Sequence, residues 1–243
     1  MINGIFMIDK VVVFDIWGEY GYFRRGYTTT STISYPFPSR TTLAGIISGI
    51  LGYDRDSYYD KFKYSNSAFA MQIVNPIKKM RMNLNLIDTK TGFLLSDNKG
   101  TRFQLPAEIL KDLKYRIYLW IDEQNTMREL HNLLLNHKTI YTPYLGITEC
   151  IANIGIVDDG LFDLERKEAN GDKVEIKSII PRDKAKIKIE SGKKYGSVKV
   201  PTLINSDRIV EDFKEFYYEE EGKGIIITEG EYYSVGDTNV IFF

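Results

Sequence analysis

Residues 11–52 constrain the fold more than any other stretch, because three incompatible local patterns follow one another there. Val11-Val12-Val13-Phe14-Asp15-Ile16-Trp17 is apolar and β-branched, which predicts a strand. A long connection follows, from Gly18 to Arg40, and Tyr35-Pro36-Phe37-Pro38 closes it, each proline forcing its predecessor out of helical geometry. Leu43-Ala44-Gly45-Ile46-Ile47-Ser48-Gly49-Ile50-Leu51-Gly52 is then apolar nearly all round, with Ser39, Thr41 and Thr42 as N-cap candidates and Gly52 as the stop. Interior Gly45 and Gly49 cost a helix about 1 kcal/mol each. Close packing of the small face of Ala44, Gly45, Ser48 and Gly49 on a sheet is expected to offset that cost.

More than twenty residues without regular structure inside a domain are usually functional or disordered, and five aromatics between Tyr20 and Tyr35 argue against disorder. The connection holds Gly18 and Gly21, the pair Arg24-Arg25, Tyr27, and the hydroxyl run Thr28-Thr29-Thr30-Ser31-Thr32. Single-stranded RNA is bound with such residues: guanidinium and hydroxyl groups on phosphates, rings on bases, glycines where backbone comes close. A packed loop whose tyrosines cover the core fits the same residues. Arg24 and Arg25 then have Asp15 and Glu19 as nearby partners.

Residues 67–77 read as a strand, ended near an edge by Pro76. The cleanest alternation follows: Met80, Met82, Leu84 and Leu86 against Lys79, Arg81, Asn83 and Asn85. With turn signals at Asp88-Thr89-Lys90-Thr91-Gly92 and Asp97-Asn98-Lys99-Gly100, and return segments Phe93-Leu94-Leu95 and Thr101-Arg102-Phe103, residues 78–104 are expected to form a twisted hairpin with cationic sides. A sheet strand with a solvated outer face is the alternative.

Residues 115–122 predict another strand, and Thr126-Met127-Arg128-Glu129 has capping-box spacing before a helix with Met127, Leu130, Leu133 and Leu134 on one face. His137-Lys138 is placed in its last turn. A turn at Thr142-Pro143-Tyr144-Leu145-Gly146, a strand over 147–157 and the turn Asp158-Asp159-Gly160 complete the first part. The order is a split β-α-β pattern. It predicts an α+β fold: a ferredoxin-like, RRM-like domain over 1–160 with an inserted hairpin, then a mostly β subdomain over 161–243.

The single Cys150 excludes an intramolecular disulfide framework and fits a reducing cytoplasm. Residues 1–10 lack the pattern of a secretory signal, and no apolar run is long enough for a membrane span. Net charge is −1 overall, but residues 1–157 carry +4 and residues 158–243 carry −5, which permits a local RNA footprint in the first part.

Two histidines, His131 and His137, and one distant cysteine are too few for a zinc site, and no phosphate-binding P-loop is present, so neither metal nor cofactor is expected. Metal-independent RNA cleavage needs a base, an acid and a cation. His137-Lys138 could supply the acid and the cation, with Tyr35 nearby.

Three stretches carry a resemblance. Thr30-Ser31-Thr32-Ile33-Ser34-Tyr35-Pro36-Phe37-Pro38-Ser39-Arg40-Thr41-Thr42 with the helix after it resembles the N-terminal signature of the CRISPR-associated Cas-five family, one of the repeat-associated (RAMP) proteins. Arg81-Met82-Asn83-Leu84-Asn85-Leu86 and Thr142-Pro143-Tyr144-Leu145-Gly146-Ile147-Thr148-Glu149-Cys150 resemble it too, in the family's order, most closely the type I-B branch. The resemblance implies a non-catalytic, crRNA-binding subunit of a type I surveillance (Cascade) complex. Such a subunit holds the 5′ handle of the crRNA, caps the backbone filament beside backbone and large subunits, and meets target DNA only through the complex. It implies that Arg24, Arg25 and Arg40 neutralise phosphates, that Thr29, Ser31, Ser34 and the Tyr144-Leu145-Gly146 turn bond backbone or bases, and that Tyr27 or Tyr35 stacks. It makes residues 78–104 a thumb in which Lys79, Arg81, Lys99 and Arg102 guide the first spacer nucleotides. Relatives that cleave place a histidine on or near the first helix or a tyrosine near its end; this helix has no histidine, and Leu51 stands at the tyrosine's place, with Tyr53 close by. An endoribonuclease and a protein scaffold without RNA contact are the other functions carried forward.

Overall fold

The computed structural model describes residues 10–26, 32–87 and 102–243. Strand β1 (Lys10–Gly21) outruns its apolar stretch. Val12, Phe14 and Ile16 enter the main core, while Val11 and Val13 enter a second core on the opposite face, as the two-residue repeat requires. Helix α1 (Arg40–Leu51) starts and stops where expected: the Ser39 hydroxyl accepts from the Thr42 N–H, and Gly52 ends the helix at φ +77°. Its last carbonyls are closed by the chain elsewhere, with Ile140 N donating to Ile50 O at 3.1 Å and Tyr141 N to Gly49 O at 3.0 Å.

Beyond a 3₁₀ turn at Tyr59–Phe62 come β2 (Ser67–Ile73), β3 (Lys78–Ile87) and β4 (Arg102–Ile121). β4 is a single strand of 20 residues. Its first half pairs with β3, from Ile87 opposite Arg102 to Lys78 opposite Lys111, and its second half lies between β1 and β2. The hairpin base therefore reaches Lys111 rather than ending at 104. The turn signals at 88–92 and 97–100 and the segment 93–95 lie outside the described residues.

Helix α2 (Gln124–Leu135) begins two residues before the expected cap. Glu123 occupies the cap position, and buried Thr126 donates its hydroxyl to the Glu123 carboxylate at 3.0 Å, so the capping box does not form. His137 and Lys138 lie past the helix end, His137 at φ +50°. The strand expected over 147–157 starts only at Asn153, as β5 (Asn153–Ile176), and does not stop at Asp158-Asp159-Gly160. Asp158 (φ +51°) and Gly160 (φ +77°) instead form a bulge opposite Val12 and Phe14. Residues 153–163 of β5 pair with β1, and residues 164–176 pair with β10 (Ile225–Val235). Position 160/161 thus falls inside one continuous strand.

The remaining strands are β6 (Ile180–Pro181), β7 (Ala185–Lys188), β8 (Tyr195–Ile204), β9 (Val210–Glu219) and β11 (Thr238–Val240). The larger sheet is antiparallel in the order β11-β10-β5-β1-β4-β2, with β3 added on β4 and β7 on β10. The chain leaving β11 returns to the far edge, where Phe69 and Phe243 exchange both backbone hydrogen bonds, at 3.2 and 2.8 Å. A second sheet, β6-β9-β8, packs through β8 on α1. Phe37 is fully buried and meets Phe216 and Tyr218 of β9 edge-on, at 6.3 and 5.6 Å between ring centres. One core thus joins β1, both helices and β9, each buried Phe or Leu contributing about 1.5–3 kcal/mol.

The small face of α1 is only half used: Ala44 and Ser48 are buried, but the two glycines are not closely packed. A Cβ at Gly45 would meet only the Tyr58 hydroxyl, at 3.4 Å, and one at Gly49 would meet nothing within 4 Å. Leu43, Ala44, Ile46, Ile47 and Ile50 make the packing. No described helix is long and apolar enough to cross a membrane.

Candidate nucleic-acid interface

The connection between β1 and α1 is tied down residue by residue. Its two limbs pair, with Arg24 bridged to Ser34, Arg25 N donating to Ile33 O at 3.0 Å and Tyr35 N to Phe23 O at 2.8 Å. The Ser34 hydroxyl accepts from Phe23 N and donates to its neighbour's carbonyl, both at 3.0 Å. Glu108 N donates to Thr32 O at 2.9 Å, docking the limb along β4, and the Tyr115 hydroxyl donates to Pro36 O at 2.9 Å. On the other side Tyr22 N donates to Leu145 O at 2.9 Å. Gly146 has φ +96°, and a Cβ there would sit 2.0 Å from the Tyr22 carbonyl oxygen, so this turn requires glycine.

These elements surround a groove of about 1060 Å³. Tyr20, Tyr22, Phe23 and Arg24 form its base, and Ser39, Thr41 and Thr42 form a rim at the start of α1. Met82, Leu84, Leu86 and Leu105 make an apolar wall on the hairpin, and Pro201, Ile204, Val210 and Phe213 make the facing wall from β8 and β9. The Gly146–Cys150 turn closes one end. The rim hydroxyls are mutually bonded, Ser39 to Thr41 at 2.8 Å and Ser39 to Thr42 at 3.0 Å. The first turn of α1 carries no acidic residue, so the positive end of its dipole faces this rim uncancelled. Burial raises the pKa of the Cys150 thiol, which keeps it protonated.

Arg24 is exposed and Gly146 stands at the groove's end, as a binding role requires. Arg25 is half-buried, its guanidinium 5.3 Å from the centre of the Tyr35 ring. Three expected contacts are corrected. Ser34 is fully buried and its hydroxyl is used within the connection. Tyr35 lines the groove but is only 5% exposed, with the Arg25 guanidinium over its ring, so it offers little surface to a base.

Arg40 is 2% exposed and points into the core. It donates to the carbonyls of Phe62, Ser67 and Thr202 and to the Ser67 hydroxyl, beneath the rings of Tyr64 and Phe69. Burial lowers its pKa from the usual guanidinium range to about 10, which leaves it charged at neutral pH. Its contacts are structural.

The hairpin divides its residues between two surfaces. Met82 and Leu84 line the groove, whereas Lys79 and Arg81 are exposed on the alternate face, Lys79 paired with Glu108 at 3.3 Å. Tyr144 is 44% exposed but lies outside the groove lining. Asp15 is held by Arg116, at 2.8 Å, and by Lys114, at 3.0 Å, both across on β4. Tyr27, Thr29, Ser31 and Lys99 lie outside the described residues, and Arg102 is described only as the first residue of β4. His137 follows α2 beside the C-terminal end of α1, whereas Tyr35 precedes the N-terminal end. A twelve-residue helix is about 18 Å long, so His137, Lys138 and Tyr35 do not converge.

Sequence reasoning missed the facing wall from β8 and β9, which lies about 180 residues from Arg24 in the chain. Thr41 and Thr42 were visible only as caps, and Met82 and Leu84 only as one side of an alternating strand.

The family model described as CRISPR-associated protein (Cas_Cas5) matches residues 11–207. No curated protein matches the chain. Among solved structures, the crystal structure of a CRISPR protein from Archaeoglobus fulgidus is similar at TM-score 0.56 and 14% identity, over 95% of this chain and 98% of the other. A chain of a CRISPR RNA-guided surveillance complex is similar at TM-score 0.52 and 13% identity, over 87% of this chain and 90% of the other.

Proposed function

The chain belongs to the CRISPR-associated Cas5 family, and from that premise we propose that it is the crRNA-binding subunit of a type I surveillance complex, holding the 5′ handle in the groove described above. The observation that carries this reading is the meeting of unlike surfaces in one groove. The positive end of α1 and its hydroxyl rim suit phosphates, Arg24 adds an exposed cation, and the apolar walls suit the faces of unpaired bases. The strand order β5-β1-β4-β2, with α1 and α2 as the two crossovers, supports a ferredoxin-like core of the kind RRM-type binders use. The structural neighbour from an RNA-guided surveillance complex supports assembly with other Cas subunits.

In this reading Arg24 and the α1 terminus hold consecutive phosphates, while Met82, Leu84 and Phe213 exclude water from bases turned toward them. Lys79 and Arg81, on the other face of the hairpin, are left to the next part of the RNA or to the adjoining subunit. The protein binds without cutting: His137 and Lys138 stand at the far end of α1, and the Tyr53 hydroxyl is engaged with Thr126 at 3.0 Å. Its work takes place in the cytoplasm, where crRNA is made.

Co-expression with a CRISPR array tests the reading. The purified chain is expected to carry short RNA of uniform 5′ end, and repeat RNA incubated with it in EDTA is expected to stay intact. Absence of RNA, or RNA with random ends, contradicts it. Specific cleavage lost in His137→Ala or Lys138→Ala replaces it with the nuclease.

A further inference from the structure

Trp17 is 37% exposed in the middle of the larger sheet, on the face opposite the two helices. It shares that face with Val11 and Val13, but those are covered by Val235, Val240 and Phe242, and the cover stops short of Trp17. Its neighbours in register are Lys114 on β4 and Asn153 on β5. The outer edge of the indole lies over Gly155, where a Cβ would come within 3.1 Å of Cη2, so glycine lets the ring lie low on the sheet. The Lys114 ammonium stands 5.7 Å from the ring centre.

The cation nearest the indole is Lys114, which with Arg116 shares the single carboxylate of Asp15. Asp112 is held by Lys78 at 3.0 Å, while Glu19, bonded to the neutral Tyr20 hydroxyl, keeps its charge. The surface as a whole is therefore close to neutral, and the positive charge is local to Lys114. One short segment links this surface to the groove. The turn that supplies Ile147 and Glu149 to the groove runs through Ile151, 61% exposed, to Asn153 beside the indole. The four residues from Glu149 to Asn153 span at most about 13 Å.

We propose that Trp17 is a second stacking site, on which an unpaired base of single-stranded RNA leaving the groove past Glu149 is seated, with Lys114 at the adjoining phosphate. An indole open on a sheet, next to a cation and an amide side chain, gives stacking, charge and a base-edge contact together. The proposal rests on the groove being an RNA site, and the test separates the two.

Only two tryptophans are present, and Trp120 is buried, so Trp17→Phe supplies the fluorescence background of the other indole. Oligouridylate long enough to cross both surfaces is titrated into the full chain. Quenching of the Trp17 component is expected, with binding weakened about 5- to 100-fold in Trp17→Ala and largely kept in Trp17→Phe. Unchanged emission with equal affinity in Trp17→Ala overturns the proposal and leaves the groove reading standing. Shielding of Trp17 only when another protein subunit is added also overturns it, and assigns the surface to a subunit contact. If the wild-type chain binds no RNA, both readings fall together.

Discussion

Arg40 and Ser67 are joined twice, the guanidinium donating to the Ser67 carbonyl at 3.0 Å and to its hydroxyl at 2.8 Å. With the Phe62 and Thr202 carbonyls, this makes Arg40 the tie between the start of α1, the start of β2 and β8. Arg40→Ala leaves several buried acceptors unpaired and is expected to cost about 3–5 kcal/mol. Arg40→Lys, which cannot reproduce the fork, is expected to recover less than half of that. Urea unfolding measures both, and a loss below about 1 kcal/mol in Arg40→Ala shows that the guanidinium is not a structural tie.

Alkaline titration reads the buried phenols. Burial raises the pKa of Tyr115 well above the usual phenol value, and that of Tyr118 to about 12. Tyr233 also lies at about 12, raised by burial and its bond to Glu231, as does Tyr59, raised by burial and its bond to Asp56. In the unfolded chain these groups ionise near 10. Above that pH the unfolded state binds fewer protons, so stability is expected to fall as pH rises from about 10 toward 12. Tyrosinate absorbance should rise in two stages, the second coinciding with unfolding. A single stage complete near pH 10 in folded protein contradicts this packing.

Local signals were legible in the sequence because they act locally. Ser39 and Gly52 bound α1 through contacts within four residues, and the Met80–Leu86 alternation marked β3 as a strand with one apolar side, although the contacts expected of it were Lys79 and Arg81 on the other. The long strands were not legible. Asp158-Asp159-Gly160 read as a turn because turns use residues that tolerate positive φ, and a bulge inside β5 uses the same residues for the same reason. Arg40 read as a phosphate ligand because nothing local shows that the carbonyls of Phe62, Ser67 and Thr202 converge on it. Asp15 likewise gave no sign that its partners were Lys114 and Arg116, a hundred residues away.

Shortening the hairpin separates folding from binding. Leu84 and Leu105 face each other in register, so residues 85–104 can be replaced by a two-residue Asn-Gly turn. Leu84 and Met80 keep their packing on the core, and the melting temperature is expected to change by no more than about 4 °C. RNA affinity is expected to fall about tenfold or more as the Leu86 end of the wall is lost. Loss of a cooperative transition places the hairpin tip in the folding unit.

The central claim is that the groove binds RNA through phosphates held at its base, and Arg24 is the exposed cation there. The most direct measurement is the affinity of the purified chain for single-stranded RNA across a range of salt concentrations, wild type against Arg24→Ala, with a thermal melt of each sample. Loss of one phosphate contact is expected to reduce the slope of log K against log salt by about 0.7 in magnitude. Handle and scrambled sequences should be affected alike, with the melt unchanged. An unchanged slope with a lowered melting temperature contradicts the account, because Arg24 then supports the connection rather than the RNA.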